Sequence, residues 1–279
     1  MIVDAHVHVL PDRVRRELAE VCAREPWFGA CHARPGAAVA SAENLVEAMD
    51  DAGVDRAVCF TWPFAGPGLC AEANDYLAAA VRRHPDRLVG FGCVQPADPG
   101  AAGEVERCAR LGLRGLGELN ADAQGWALED EAALGPVARA SVAAAFPWTL
   151  HCSEPVGHDY PGKGTATPDR VAALALRHPE LTLVCAHLGG GLPLYAHMPE
   201  VRELCRTGLY FDTAAVPFLY QPSVYRAVIE AVGADRLLFG TDHPLLRAPR
   251  YLDTLRGLGL GEEATAAVLG GNAARLLGL

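Results

Sequence analysis

The sequence predicts an α/β fold, a (β/α)8 TIM barrel spanning residues 1–279 as a single domain, and three observations carry that expectation. Short apolar, β-branched runs alternate with helical patterns, and strands separated by helices pair in parallel. Eight such strand–helix units can be counted, the number at which a parallel sheet closes on itself. The 279 residues contain no linker rich in Pro, Gly and Ser and no repeat beyond the strand–helix rhythm. A barrel of this size forms one unit. A doubly wound open sheet is the structural rival, but no glycine fingerprint follows the first strand, which argues against its dinucleotide-binding version.

The first strand, 2–10, reads IVDAHVHVL, and strand alternation would put Asp4, His6 and His8 on one face and Ala5, Val7 and Val9 on the other. Residues 11–42 form an insertion after it, expected as an amphipathic helix over about 13–24 followed by a loop containing Trp27 and Phe28. The remaining strands are expected at 56–61, 88–95, 113–120, 148–153, 182–189, 209–213 and 237–242. Helical patterns fall at 42–52, 69–84, 100–111, 129–145, 167–178, 193–206 and 222–232, and two more at about 249–258 and 262–269 close the chain.

Composition narrows the function. Half of the residues (51%) are hydrophobic and 21% are charged, with a formal net charge of −10. An acidic chain without a basic stripe offers nothing to nucleic acid. No apolar run is long enough to span a bilayer, and the N-terminus lacks the pattern of a signal peptide. The nine cysteines form no CxxC pair, and Cys59, Cys93 and Cys185 fall inside expected strands. They read as small buried hydrophobes in a reducing compartment. The expectation is a cytoplasmic protein acting on a small-molecule substrate, with neither a nucleic-acid nor a membrane partner.

In a barrel, residues at the C-terminal strand ends meet around one pocket. The first strand offers His6 and His8; the fourth, in GLGELN, Glu118; the fifth, in WTLHCS, His151; the sixth, in VCAHLGGG, His187; and the eighth, in LLFGTDHP, Asp242. Four histidines and two carboxylates are what a divalent-metal site requires, with zinc the first choice for imidazole nitrogen. Two neighbours invite other readings. Cys152 beside His151 suggests a Cys–His nucleophile, but adjacent strand residues face opposite ways. Glu118 has Arg114 as an alternative partner in a rim ion pair.

These motifs resemble the amidohydrolase superfamily, in its amidohydrolase-related (amidohydrolase 2) branch, which also contains the aminocarboxymuconate semialdehyde decarboxylase type. The HxH of the first strand, the single histidines ending the fifth and sixth, the FGTDHP of the eighth and the closing GGNAARLLGL carry the resemblance from Ile2 to the C-terminus. It implies a metal-dependent barrel, usually with zinc, acting by hydrolysis or, in a minority, by non-oxidative decarboxylation or hydration. It also implies a homodimer. Glu118 is similar to the metal-bridging glutamate of the TatD-like deoxyribonucleases in the same superfamily, which favours hydrolysis with one or two ions.

The residues then take these expected roles. His6, His8 and Asp242 hold a metal, His151 completes or bridges the shell, and His187 binds a second ion or donates a proton to the substrate oxygen. Metal-activated water attacks, with Asp242 taking its proton. The loop 152–167 contains His158 and Lys163 as substrate contacts, and Trp62, with Phe218 and Tyr220, supplies apolar walls. The expected activity is hydrolysis of a small ester, lactone or amide; the alternative is a lyase that decarboxylates or hydrates an unsaturated or aromatic acid.

Overall fold

The computed structural model describes all 279 residues. Eight strands run β1 (Val3–His8), β2 (Arg56–Phe60), β3 (Leu88–Gly90), β4 (Leu116–Leu119), β5 (Trp148–Leu150), β6 (Leu183–Cys185), β7 (Leu209–Asp212) and β8 (Leu237–Leu238). All neighbours pair in parallel, in the orders β1-β2-β3 and β4-β5-β6-β7-β8. Backbone hydrogen bonds cross both remaining seams. Between β3 and β4, Gly92 N–H donates to Gly115 O at 2.8 Å and Gly117 N–H to Gly92 O at 2.9 Å. Between β8 and β1, Ala5 N–H donates to Phe239 O and His8 N–H to His243 O, both at 2.7 Å. Hydrogen bonding therefore runs round the whole ring, although the regular ladder is interrupted at these two places.

Alternation along the strands builds two cores. Ala57 and Cys59 face outward with Val7, Leu150 and Phe211, under helix residues such as Leu45, Leu77 and Val228. Val58 and Phe60 face inward with Val89, Phe91, Val184 and Leu238, and Ala273 and Leu277 of the closing helix plug the floor. Arg114, the alternative partner considered for Glu118, donates instead to the Leu277 carbonyl at that floor.

β1 departs from simple alternation. Its pairing with β2 shifts register between Asp4 and Val7. Val3 and Ala5 therefore join the interior cluster, while His6 and His8 still point inward above it. Asp4 does not share their company: it accepts from Thr241 N–H at 3.0 Å and from the Thr241 hydroxyl at 2.6 Å, locking the seam. One extra residue in a strand reverses the face of everything before it.

Several expected strands end early, and two of them run into left-handed backbone at the site. After β6, His187 and Leu188 adopt φ of 57° and 55°, and after β8 Asp242 adopts 65°. Such left-handed backbone cannot continue a strand and re-aims the side chain; non-glycine residues in this region are strained by about 1–2 kcal/mol each. The expected helix 193–206 divides into a 3-10 turn, Leu192–Tyr195, and a helix, Pro199–Arg206, because Pro199 begins a first turn and has no N–H to continue an earlier one. The insertion holds three short helices, Asp12–Arg16, Leu18–Arg24 and Pro26–His32, the last where a loop was expected. They bury Val14, Val21 and Phe28 against Phe64, Leu69 and Cys70, forming one wall of the barrel mouth. Buried Glu25 ties that wall to the loop after β2 by accepting from Ala65 N–H at 2.7 Å and Gly66 N–H at 3.1 Å. No helix is long and apolar enough to cross a membrane.

Candidate active site

At the C-terminal ends of the strands, His6, His8, Glu118, His151, His187 and Asp242 converge. Each imidazole is oriented by an oxygen behind it. His6 Nδ1 donates to Asp212 Oδ2 at 2.9 Å, His8 Nδ1 to Thr61 O at 2.7 Å, and His187 Nδ1 to Ala214 O at 3.0 Å. All three therefore present unprotonated Nε2 atoms to the centre when neutral. His151 is turned the other way: Nε2 donates to Gly162 O at 2.9 Å and Nδ1 faces Glu118 Oε1 at 2.9 Å. Glu118 Oε1 also lies 3.2 Å from His187 Nε2.

His6, His8 and Asp242 form a second close grouping beside that of Glu118, His151 and His187. The two Nε2 atoms are 3.3 Å apart, and Asp242 Oδ1 lies 3.6 Å from His6 and 3.4 Å from His8. Glu118 Oε2 stands 3.7 Å from His8 Nε2. Two imidazole lone pairs this close repel unless a proton or cation lies between them. The electrostatics agree. Burial pushes the His6 imidazolium down, but Asp212, Glu118 and Asp242 outweigh it and lift His6 to about 9. Burial likewise opposes charge on His187, and Glu118 with Asp242 and Asp212 raises it to about 10. Burial would raise Asp242, yet His8, His6 and His187 hold it at about 2; Glu118, against its burial, is held well below the usual range by His151, His187 and His6. The carboxylates thus remain ionised and demand positive charge, which a divalent cation satisfies in place of protons. Mixed imidazole and carboxylate donors within 4.8 Å of one another fit such an ion.

Above the cluster opens a cavity of about 360 Å³. Trp62 and His158, both expected as substrate contacts, line it, as does Phe218; Tyr220 does not, and its hydroxyl is buried without a partner. Lys163 also lies outside the lining. Its Nζ donates to the carbonyls of Val156 (3.2 Å) and His158 (3.1 Å), so the ammonium fastens its own loop where a substrate contact was expected. Cys152 packs in the outer core with its thiol on Leu150 O at 3.2 Å, away from the cavity.

Sequence reasoning missed four residues. Asp212, fully buried at the end of β7, orients His6 and also accepts, through Oδ1, from the N–H groups of His187 and Ala214 at 3.0 Å each. The strand-end rule that gave the candidate ligands reaches it in LYFDT. His32 and Arg34 come from the insertion, which carries no strand-end signal, and Asn120 sits one residue past the end of β4; all three line the cavity.

The model of a protein family described as amidohydrolase matches residues 3–279. The chain belongs to that family. Among curated proteins, the gamma-resorcylate decarboxylase of Polaromonas sp. (strain JS666) is 27% identical over 253 residues, 75% of this chain and 76% of the relative. The solved structure of 5-carboxyvanillate decarboxylase LigW from Sphingomonas paucimobilis superposes with a TM-score of 0.82 at 22% identity, covering 100% of this chain and 99% of that one. A 5-carboxyvanillate decarboxylase from Novosphingobium aromaticivorans, complexed with manganese and 4-hydroxy-3-methoxy-5-nitrobenzoic acid, also gives 0.82, at 20% identity and over 100% and 96% of the two chains. These structures share the TIM-barrel fold of this family.

The comparisons correct the expected reaction. Relatives along three quarters of the chain are decarboxylases, which are lyases, so hydrolysis of an ester, lactone or amide is set aside. Glu118 lies between two histidine groups, with Oε1 2.9 Å from His151 Nδ1 and 3.2 Å from His187 Nε2 and Oε2 3.7 Å from His8 Nε2, and a glutamate in that place is compatible with a lyase as well as with a hydrolase.

Proposed function

We propose that this protein is a metal-dependent, non-oxidative decarboxylase of a hydroxylated aromatic carboxylic acid. The observation that carries the reading is a histidine–carboxylate cluster at the floor of an aromatic-walled slot, in a chain whose curated relatives are gamma-resorcylate decarboxylases.

His6, His8 and Asp242 would hold a single divalent ion, with Glu118 Oε2 beside them. Such an ion would supply positive charge for an anionic substrate that Asp242 and Glu118 alone would repel. Manganese, present in the Novosphingobium enzyme, joins zinc as the ion to test. Trp62 and Phe218 flank the ring, and Arg34, the cation at the cavity, attracts the anionic substrate. His187 is the proton donor. Its Nε2 proton passes to the ring carbon bearing the carboxylate, the bond to the carboxyl carbon breaks, and the electron pair returns to the ring as CO2 leaves. Glu118, 3.2 Å away, holds His187 protonated beforehand.

Incubation of the metal-loaded protein with 2,6-dihydroxybenzoate and with 5-carboxyvanillate, followed by CO2 release, tests the reading. CO2 release that disappears on chelation and in His187→Asn supports it; ester or lactone hydrolysis without CO2 release would sink it. All nine cysteines are free, which supports the cytoplasm as the compartment. The expected homodimer is supported by Leu194, Tyr195 and Met198, exposed together after β6, and light scattering of the purified protein tests it.

A further inference from the structure

His32 stands apart from the other cavity histidines. It ends the Pro26–His32 helix, its ring stacked on Phe28 (centroids 4.2 Å apart, planes at 20°) and met edge-on by Trp62 (4.6 Å, 86°). Its Nδ1 donates to the Phe28 carbonyl at 3.1 Å, which leaves the lone pair on Nε2, at the other edge of the ring. No carboxylate pairs with it, it belongs to none of the candidate metal-ligating groups, and yet it lines the same cavity as His8 and Asp242. Burial keeps it neutral, pushing it down to about 4. A rigidly held, neutral acceptor in an aromatic slot suits a hydroxyl group far better than a carboxylate, which has no proton to give.

We propose that His32 reads the substrate's ring hydroxyl: Nε2 accepts its hydrogen bond, so that hydroxylated rings are selected over rings lacking the group. The proposal rests on the decarboxylase reading and deepens it. The same contact strengthens during reaction. As the ring carbon gains the proton, positive charge spreads to a hydroxyl ortho or para to it, the O–H becomes a better donor, and an acceptor already in place stabilises that charge without reorganising. Phe28 and Trp62 hold the ring in position and make no contact of this kind themselves.

The test compares two ligands on the metal-loaded protein by titration calorimetry: 2,6-dihydroxybenzoate and benzoate, against wild type, His32→Phe and His32→Gln. His32→Phe, which keeps the stack and removes the acceptor, is expected to weaken 2,6-dihydroxybenzoate about tenfold and benzoate less than about twofold. His32→Gln, whose amide oxygen can accept, is expected to recover most of that loss, with metal content and melting temperature unchanged in both variants. Equal weakening of the two ligands, or none, would overturn the role of His32 and leave the decarboxylase reading standing. Failure of loaded wild type to bind either ligand would overturn both.

Discussion

Asp212 is the residue on which the site's geometry turns. One oxygen fixes the tautomer of His6 and the other receives the N–H groups that hold His187 in its left-handed backbone. Carboxylates behind metal-ligating histidines raise ligand basicity and fix ring orientation, and their loss weakens metal binding by roughly 10–100-fold. Asp212→Asn should show that loss in a chelator competition assay, with the fold intact by circular dichroism; unchanged affinity would assign the ring's orientation to packing against Phe60. Protons compete for the same nitrogens. His6 and His187 in the metal-free protein sit at about 9 and about 10, above the ordinary histidine value, so the stability from their ion pairs is complete below about pH 6.5. It is lost as pH rises through 9 to 10. Chelated protein should therefore lose thermal stability over that window, while metal affinity, which requires displacing those protons, should rise from pH 6 to 8 by up to about tenfold per pH unit for each proton displaced. Calorimetric melting and metal competition at matched pH check both signs.

Among the elements, the short helix Pro26–His32 contributes most to the cavity and was least visible in sequence. Seven residues containing Pro26, Trp27, Phe28 and Gly29 carry too few turns to display helical periodicity, and the helix exists because Phe28 is buried against Phe64 and Trp62. Its anchor is Glu25. Glu25→Ala leaves the Ala65 and Gly66 N–H groups without their acceptor and should destabilise the protein by about 1–3 kcal/mol in urea denaturation. The same variant should weaken substrate binding more than metal binding, because the insertion supplies walls and β1 supplies ligands. Equal losses would mean that the insertion also supports the metal site.

At the scale of the whole molecule, the barrel closes where its two ends meet. Gly270, in the segment before the closing helix, lies against the start of β1: a Cβ there would fall 2.4 Å from Met1 O and 2.9 Å from Val3 N. Backbone cannot yield as a flexible side chain can, so Gly270→Ala should destabilise by about 1–3 kcal/mol, read as a lowered melting temperature with the loss of metal affinity that follows any shift of His6 and His8. A melting temperature equal to wild type would mean that the two ends are not held together here. What the sequence determined by itself was local and periodic: the strand–helix rhythm, and the strand ends that carry His6, His8, Glu118, His151, His187 and Asp242, because side-chain spacing reports directly on backbone repeat. What only the tertiary structure decided was non-local. The register shift that turns Asp4 to Thr241, the convergence of Asp212 on His6 and His187, and the seating of His32 beside Trp62 depend on residues 25 to 237 positions apart. Their contacts leave no period in the chain, since packing and register are set by partners that the local sequence does not contain.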